Sequence, residues 1–474
     1  MTTADTSQRR CLDAFIVALN EPWFACTKQL QLASLHFCVE CRNVTTLHLR
    51  VDVDTPRRLL AAADTVPPEP DKQGSTRVPR LRARRVTWKI SELNLNQAVE
   101  GVVWPTSLLQ LTFDFFFDQA VVGVEWPPSL QQLTFGHFFN QAIEAIKNVV
   151  WPISLKRLTF GAHFNQAIDG VTWPASRQQL EFGFCFNRSI DGVTWPASLQ
   201  QLVLGYRFRQ PIDVRAPWPP SLKHLSLGLY FNQPIEGASW PPSLLQLSLG
   251  TYCNQSIEGV TWPASLQQVN FGGDFNQAIE GVAWPALLEQ LTVGEKFDQV
   301  IERVVLPVSL KRISGGKTFN KVIEGVAWPE ALEGLTFDVR SLFNHPIEGI
   351  AWPESVQRLS FGSAFNQAIE RVDGPVSLKH LSFGNKFNQG VEGVNWPPLQ
   401  EHLTFGECFD RRVEAPIEEA LWPASLQELT FGNDFNQSVV RVTWPAALVQ
   451  LSFGYYFNQS IQGVAWPASL RRLF

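Results

Sequence analysis

Apolar and polar positions recur along this chain with a period of 22 residues, from about residue 86 to residue 474. One period reads W-P-x-S-L-x-x-L-x-F-G-x-x-F-N-Q-x-I-x-G-V-x, and about 17 copies follow one another. Its segment L-x-x-L-x-F alternates apolar and polar residues, which is typical of a strand with one buried face. A unit of this length cannot bury its apolar residues alone and must stack on its neighbours. The pattern therefore predicts a repeat solenoid.

The copy that begins at residue 126 shows how one coil is expected to fold. Leu133 and Phe135 are predicted to point inward, and Gln132 and Thr134 outward. Phe139 is expected to re-enter the core after a turn. The proline near the start of each copy fixes φ and blocks a helix, so extended or 3₁₀ segments are predicted on the back. We predict a β-rich, curved array of about 17 coils, with a parallel sheet on one face and a small helical N-terminal cap.

One position of the repeat holds 15 of the 17 tryptophans, and a proline always follows it. Each aromatic side chain can remove roughly 150–250 Å² from water when it is buried. The tryptophans are therefore interpreted as stacked core residues rather than as a ligand site. The residues in this position are Trp104, Trp126, Trp151, Trp173, Trp195, Trp218, Trp240, Trp262, Trp284, Leu306, Trp328, Trp352, Gly374, Trp396, Trp422, Trp444 and Trp466.

A second position holds asparagine in most copies and aspartate at Asp118, Asp298 and Asp410. A short amide at every turn suits a ladder that pairs with backbone groups of the next coil. Because Asp replaces Asn, the acceptor oxygen is predicted to matter more than the amide hydrogens. We expect the ladder to point inward. On that expectation the N-x-S sequons at Asn187, Asn254, Asn436 and Asn458 escape glycosylation.

The phrase is similar to the FNIP repeat, a relative of the leucine-rich repeat. The matching residues include Phe231-Asn232-Gln233-Pro234-Ile235 and Phe365-Asn366-Gln367-Ala368-Ile369. The resemblance covers about 390 residues and implies a leucine-rich-repeat-like solenoid that binds proteins. It also implies, in some members, an F-box that recruits a ubiquitin ligase. It implies no catalytic residue.

Outward positions of the predicted strands vary from coil to coil and are the candidate contacts for a protein or an extended peptide. They form a ribbon of amides and cations beside a row of Ser and Thr. The alternative is that this sheet face is only solvated and has no binding role, since Thr has a good strand propensity and Gln is acceptable there. The partner-binding candidates are Arg157, Gln179, Gln201, His224, Gln246, Gln268, Gln290, Arg312, Arg358, His380 and His402, with Arg411 and Arg412 from an insertion.

Insertions interrupt the 22-residue spacing near Ala145–Lys147, Val214–Ala216, Val339–Ser341 and within Arg411–Ala420. The last is the longest and the most charged, and we consider it a contact site or a tolerated bulge. The sequence Gly315-Gly316-Lys317-Thr318 resembles the end of a phosphate loop. It lies where a strand meets a turn rather than before a helix, so no nucleotide site is predicted.

Composition and charge further limit the classes of function that are expected. The net charge of −5 gives no reason to expect a nucleic-acid partner, and no apolar run approaches a membrane span. The seven cysteines form no regular disulfide pattern, so a cytoplasmic location is predicted. No catalytic constellation stands out, and we expect neither an enzyme nor a cofactor.

The chain divides into three predicted parts: residues 1–66, 67–85 and 86–474. The first is interpreted as a helical cap or a diverged adaptor segment, and the second as a basic, proline-containing linker. Cys26, Cys38 and Cys41 are weak metal candidates, because no second cysteine pair completes a zinc site. The final coil lacks a polar cap, which suggests end-to-end self-association.

The sequence favours a non-catalytic scaffold that binds a polypeptide along its polar sheet face. One alternative is a substrate receptor of a ubiquitin ligase, with residues 1–85 as the adaptor-binding end. Another is a glycan-binding receptor, which would require secretion.

Overall fold

The computed structural model describes residues 47–49, 86–88, 99, 104, 108–113, 115–142, 147–212, 218–410 and 417–474. The chain forms two compact units. Unit 1 comprises Met1–Phe208 with Pro217–Leu222, and unit 2 comprises Arg209–Ala216 with Lys223–Phe474. The proposed cap and linker, at residues 1–85, lie outside the described residues except for one short strand at Leu47–Leu49.

Short strands recur at the repeat spacing in both units. Unit 1 contains β1 (Leu47–Leu49), β2 (Val86–Trp88), β3 (Gln110–Thr112), β4 (Gln132–Thr134), β5 (Arg157–Thr159), β6 (Gln179–Glu181) and β7 (Gln201–Val203). Unit 2 contains β8 (His224–Ser226), β9 (Gln246–Ser248), β10 (Gln268–Asn270), β11 (Gln290–Thr292), β12 (Arg312–Gly315), β13 (Gly334–Phe337), β14 (Arg358–Ser360), β15 (His380–Ser382), β16 (His402–Thr404), β17 (Glu428–Thr430), β18 (Gln450–Ser452) and β19 (Arg472–Leu473).

Neighbouring strands within each unit are parallel and in register, so that equivalent residues of successive coils lie side by side. In unit 1, Leu133 pairs with Leu158 across β4 and β5. In unit 2, Leu359 pairs with Leu381 across β14 and β15. The central residue of the strand is almost always buried, whereas its two neighbours are half-buried or exposed, because successive side chains of a strand point to opposite faces. The predicted parallel sheet of a repeat solenoid is confirmed.

Columns of aromatic rings fill the core. Phe135 and Phe160 stack with their centroids 5.6 Å apart, and Phe139 and Phe164 stack at 6.2 Å. In unit 2 the indole rings of Trp240 and Trp262 stack at 6.3 Å. The phenylalanines after the turn are fully enclosed, as at Phe139, where none of the side chain is exposed. The aromatic positions are therefore structural, as predicted.

The serine of the repeat forms a second ladder that the sequence analysis did not assign. Ser129 Oγ donates to the Leu108 carbonyl at 2.8 Å, and Ser309 Oγ donates to Leu288 at 2.7 Å. In the same turn the Leu130 N–H donates to the Pro127 carbonyl at 3.0 Å. This bond closes a four-residue β-turn in place of a helix, because Pro cannot continue one. The backs of the coils are turns and extended segments, and a 3₁₀ helix occurs at Ile417–Glu419.

The asparagine ladder exists, but its predicted direction is wrong. The N–H of Asn276 donates to Asn254 Oδ1 at 2.8 Å, and the N–H of Asp298 donates to Asn276 Oδ1 at 2.9 Å. These side chains lie at the surface, half-buried or exposed, and bridge successive turns there. Burial therefore cannot protect the sequons at Asn187 and Asn254 from modification. The core has no room for the amides because the residue before each one, a phenylalanine in most coils and Cys253 before Asn254, occupies it.

Aspartate serves the ladder equally well, which confirms that the acceptor oxygen is the essential group. The N–H of Asn140 donates to Asp118 Oδ1 at 2.8 Å, and the N–H of Asn436 donates to Asp410 Oδ1 at 2.7 Å. The glutamine that follows the asparagine adds two bonds per rung: Gln277 Nε2 donates to the carbonyl and to Oδ1 of Asn254 at 3.1 and 3.0 Å. Every rung thus joins two coils through several bonds.

The glycine after the strand is required by close packing of the coils. A Cβ placed on Gly161 would lie 1.7 Å from the Gly136 carbonyl oxygen, and one on Gly432 would lie 1.7 Å from that of Gly406. Any side chain at this position would push adjacent coils apart. The glycine thus fixes the spacing of the coils as well as ending the strand.

Candidate functional site: the polar sheet face

The candidate site is the outward side of the parallel sheet, which presents two rows of side chains in each unit. The first row holds the first residue of each strand, and the second row holds the third residue. Except for the buried Gly334, both rows are half-buried or exposed, while the residue between them is buried in most strands. All the candidates from the sequence lie in the first row, except Arg411 and Arg412, which are outside the described residues.

In unit 1 the first row consists of amides and one cation. Arg157 Nε donates to Gln179 Oε1 on the adjacent strand. Gln179 and Gln201 lie opposite each other in the register of β6 and β7. The structure thus brings all three predicted residues of this unit into one continuous row.

In unit 2 the first row changes in character along the sheet. It begins with His224, whose Nδ1 lies 2.8 Å from Gln246 Oε1, and three glutamines follow. Beyond them the row carries Arg312, Gly334 and Arg358. It continues through a pair of histidines to Glu428. Three consecutive amides therefore precede the charged part of the row, and a further amide, Gln450, follows Glu428.

Several charges on and beside the first row have a partner of opposite sign. Lys311 Nζ lies 3.0 Å from Glu289 Oε1 and Lys379 Nζ lies 3.5 Å from Glu401 Oε1. Arg312 contacts Glu333 at 3.7 Å. Arg358 forms no ion pair within the described part of the chain, and its neighbour in the row, Gly334, carries no side chain. The guanidinium of Arg358 is thus an exposed cation beside a gap in the row.

The two histidines, His380 and His402, are stacked with centroids 4.4 Å apart and planes at 10°. His402 Nδ1 lies 3.0 Å from Glu428 Oε2. Burial lowers the pKa of His380, and the nearby His402 and Arg358 lower it further. His380 is therefore neutral at pH 7, because even an unperturbed imidazole is mostly neutral there.

The second row is built largely of hydroxyl groups, as predicted. Thr292 Oγ1 and Ser314 Oγ are 3.1 Å apart on neighbouring strands. Hydroxyl and amide side chains both donate and accept hydrogen bonds. Together the rows can bond a ligand that offers donors and acceptors at regular intervals.

Two other sequence candidates have structural roles. Gly315 ends β12, so the residues that resemble a phosphate loop precede no helix. In the insertion near Val339–Ser341, Ser341 is fully buried and its Oγ donates to the Gly316 carbonyl at 2.8 Å. In the longer insertion, the buried Ile417 donates its N–H to Gln437 Oε1 at 2.9 Å, and the earlier part is not among the described residues.

Arg177 is an unusual residue that the sequence analysis missed. It occupies the position of the buried leucine in W-P-x-S-L, and none of its side chain is exposed. Its guanidinium lies 5.7 and 5.8 Å from the rings of Trp151 and Trp173, and its nitrogens have no hydrogen-bond partner among the described residues. Burial lowers the pKa of Arg177 to about 9. Comparison of the 17 copies position by position would have found it.

An exposed aromatic edge in unit 1 was also missed. It lies at the turn after the strand, where Phe115 stacks on His137 at 4.4 Å and Phe116 stacks on Phe138 at 5.6 Å. Phe115 and Phe116 are about half exposed, at 49% and 48%. The signal in the sequence was the composition of these two positions, which are aromatic in unit 1 and mostly polar in unit 2.

Comparisons with known proteins agree with this architecture. The FNIP Repeat family profile matches residues 186–230, 218–252 and 365–408. The solved structure of CroV588, described as a circular leucine-rich-repeat protein, is 32% identical in sequence. The match covers 84% of this chain and 73% of that one, with a TM-score of 0.47. The chain belongs to the FNIP-repeat family of leucine-rich-repeat proteins.

Two further solved structures are similar to this chain at lower sequence identity. The TLR13–ssRNA13 complex is 12% identical, with a TM-score of 0.50 over 83% of this chain and 71% of that one. A leucine-rich-repeat protein of Leptospira interrogans is 15% identical, with a TM-score of 0.40 over 69% and 84%. A search of curated protein sequences gives no match. Proteins of this repeat class are generally non-enzymatic scaffolds.

Two searches of the described residues gave negative results. No helix there is long and apolar enough to span a bilayer. No three His, Cys, Asp or Glu side chains in this part of the chain are arranged to hold a metal ion. The cysteines suggested as weak metal candidates, Cys26, Cys38 and Cys41, lie outside it.

Proposed function

We propose that this FNIP-repeat protein is a non-catalytic scaffold whose sheet face in unit 2 binds an extended polypeptide. This proposal rests on the two in-register rows, which present an amide in the first row and a hydroxyl or amide in the second on each of the consecutive strands β9, β10 and β11, half-buried or exposed. Neighbouring strands of a sheet lie about 4.8 Å apart. A chain that crosses the strands would therefore meet a donor or an acceptor at each one.

The amide part of the face supports a backbone-binding role. Gln246, Gln268 and Gln290 lie on three consecutive strands, and each is half-buried. An amide side chain both donates and accepts, so a row of three can pair with the N–H and C=O groups of a peptide. Polar surfaces of this kind suit proteins better than small molecules, which require concave and mostly apolar pockets.

The charged part of the face supports selection of an acidic side chain. Arg358 is exposed and without an ion pair, and Gly334 leaves space beside it. An arginine can hold a carboxylate through two parallel hydrogen bonds. The partner is therefore proposed to carry an aspartate or glutamate where it crosses β13 and β14.

The first experiment is affinity purification of the tagged protein, followed by a binding measurement with the purified partner. The test variant replaces Gln246, Gln268 and Gln290 with alanine. The matched control replaces Glu236, Glu258 and Glu280, which belong to neighbouring coils and are exposed away from the strands. We expect the glutamine variant to weaken binding at least tenfold and the control to bind normally. Equal binding by both variants would reject the sheet face as the site.

The ubiquitin-ligase role stays a prediction, because the adaptor-binding end was assigned to residues 1–85. A deletion of that segment in the same purification would test it. Loss of cullin and adaptor subunits with retention of the polypeptide partner would separate recruitment from substrate binding.

A further inference from the structure

The stacked histidines of unit 2 have features that a solvated sheet face does not require. His380 and His402 are directly paired in the register of the parallel strands β15 and β16. Their rings are nearly parallel, at 10°, with centroids 4.4 Å apart. Two imidazoles are thus held side by side on the outward face by the backbone hydrogen bonds beneath them.

The hydrogen bond of His402 determines which of its nitrogens is available. Its Nδ1 lies 3.0 Å from the carboxylate of Glu428, on the next strand, β17. A carboxylate can only accept, so Nδ1 carries the hydrogen and Nε2 of the neutral ring keeps its lone pair. A carboxylate–histidine contact of this kind orients the imidazole in many metal sites.

We propose that His380 and His402 form a site for a borderline divalent ion of the Zn²⁺, Ni²⁺ and Cu²⁺ class. The two imidazoles would supply the ligands, Glu428 would orient His402, and water would complete the coordination. Imidazole nitrogen is a preferred ligand for these ions, whereas Mg²⁺ and Ca²⁺ prefer oxygen. The stacked rings hold their lone pairs in nearly parallel planes, so sharing an ion requires the rings to turn about their terminal torsions, which are soft.

The surrounding charges are balanced. Arg358 on β14 is a cation next to His380 and opposes binding of a metal ion. Glu428 and Glu401 carry negative charge on the other side, although Glu401 is paired with Lys379 at 3.5 Å. The ion would therefore lie nearer to His402 and Glu428 than to Arg358.

His224 provides a matched control within the same row. It occupies the first position of β8, as His380 and His402 do in their strands. The residue opposite it on β9 is Gln246, whose Oε1 lies 2.8 Å from Nδ1. It is therefore a single imidazole in the same sheet environment.

The test is calorimetric titration of the full-length protein with Ni²⁺ at pH 7.5, with Cu²⁺ electron paramagnetic resonance as a second readout. H380Q and H402Q should each remove one equivalent of bound ion, and H224Q should remove none. E428Q should weaken the same equivalent by roughly 10–100-fold, as is typical for loss of an orienting carboxylate. The Cu²⁺ spectrum of that equivalent should show coupling to two nitrogens, and H380Q and H402Q should each abolish this two-nitrogen signal.

Circular dichroism would confirm that each variant remains folded. Retention of the bound equivalent in H380Q and H402Q would overturn the proposal. So would an equal loss in H224Q, because it would show non-specific binding to surface histidines. Neither result depends on the polypeptide partner, so this proposal can fail while the proposed function stands.

Discussion

Two breaks in the core pattern of the repeat, one in unit 1 and one in unit 2, are opposite in kind. In unit 1, Arg177 places a charge where other coils have leucine. In unit 2, Leu306 replaces tryptophan, and Val293 and Gly315 replace phenylalanine. These three residues line an apolar cavity of about 50 Å³. The break in unit 1 buries a charged side chain, whereas the break in unit 2 leaves too little side-chain volume to fill the core.

The two defects show which part of the repeat tolerates change. Arg177 keeps aromatic contacts on two sides, and a cation over an indole ring is worth roughly 0.5–2 kcal/mol. The coils around Leu306 keep their strand pairing, as β11, β12 and β13 remain in register. In a solenoid each coil contacts only its neighbours, so a local loss need not spread. The backbone ladders hold the fold where side-chain packing is imperfect.

Replacement of Arg177 by leucine should give the largest change in stability. Burial that lowers the pKa of Arg177 to about 9 corresponds to a cost on the order of 5 kcal/mol. The cation contacts offset part of that cost, so R177L should raise the unfolding free energy by about 2–5 kcal/mol. The measurement is the urea midpoint. Gln400, which occupies the same position in unit 2 and is also buried, gives a comparison without a charge. Q400L should therefore raise the unfolding free energy by less than R177L does.

The advantage of R177L should depend on pH only at alkaline values. In the folded state the pKa of Arg177 is lowered to about 9, whereas in the unfolded state it keeps the much higher value of a solvated guanidinium. Below pH 9 the arginine is charged in both states and the full cost is present. Above pH 9 the unfolded state binds more protons, so the native protein becomes relatively more stable. The difference in urea midpoint should stay constant from pH 6 to 8 and narrow above 9. A constant difference up to pH 10.5 would contradict this.

Removal of one rung from the asparagine ladder should have the next largest effect. Asn276 accepts bonds from the Asp298 N–H at 2.9 Å and, through Oδ1, from Gln299 Nε2 at 2.8 Å. N276A removes these two bonds, for a loss of roughly 1–3 kcal/mol. N458A is the matched control, since the Asn458 side chain accepts only from Gln459 in the described residues, at 3.3 Å. Similar losses from both variants would show that the ladder does not join the coils energetically.

Filling the cavity in unit 2 should produce a smaller gain. L306W restores the residue found in the coils on either side, at Trp284 and Trp328. Cavity-filling substitutions commonly add about 0.5–2 kcal/mol. The thermal midpoint checks this, and L306M serves as a control of similar volume. A loss of stability with L306W would show that the cavity is too narrow for an indole ring.

A change on the sheet face should have the smallest effect on stability and the largest effect on binding. R358E alters an exposed residue without an ion pair in the described part of the chain, so the unfolding free energy should change by less than about 0.5 kcal/mol. Its affinity for the polypeptide partner should fall at least tenfold, as measured by calorimetry. R157E in unit 1 is the control and should leave that affinity unchanged.

The sequence predicted local features well because each of them recurs in many copies of the repeat. Leu133 and Phe139 are fully buried as expected, and Asp118 and Asp410 accept the ladder bond as Asn does. The prediction that the asparagine side chains point inward was wrong, because alternation within a strand does not determine where residues after the turn point. The role of the serine ladder was also missed, because its acceptor lies one coil away.

By itself, the sequence determined the parallel solenoid, the buried and exposed positions of each strand and the FNIP-repeat family. Periodicity carries this information because every coil obeys the same local rule. Only the tertiary structure decided which side chains meet between coils, such as His402 with Glu428 and Arg177 with Trp151. Those contacts join residues about 26 positions apart, and they depend on how one coil is offset against the next. The spacing of the coils, limited by glycines such as Gly161, sets that offset.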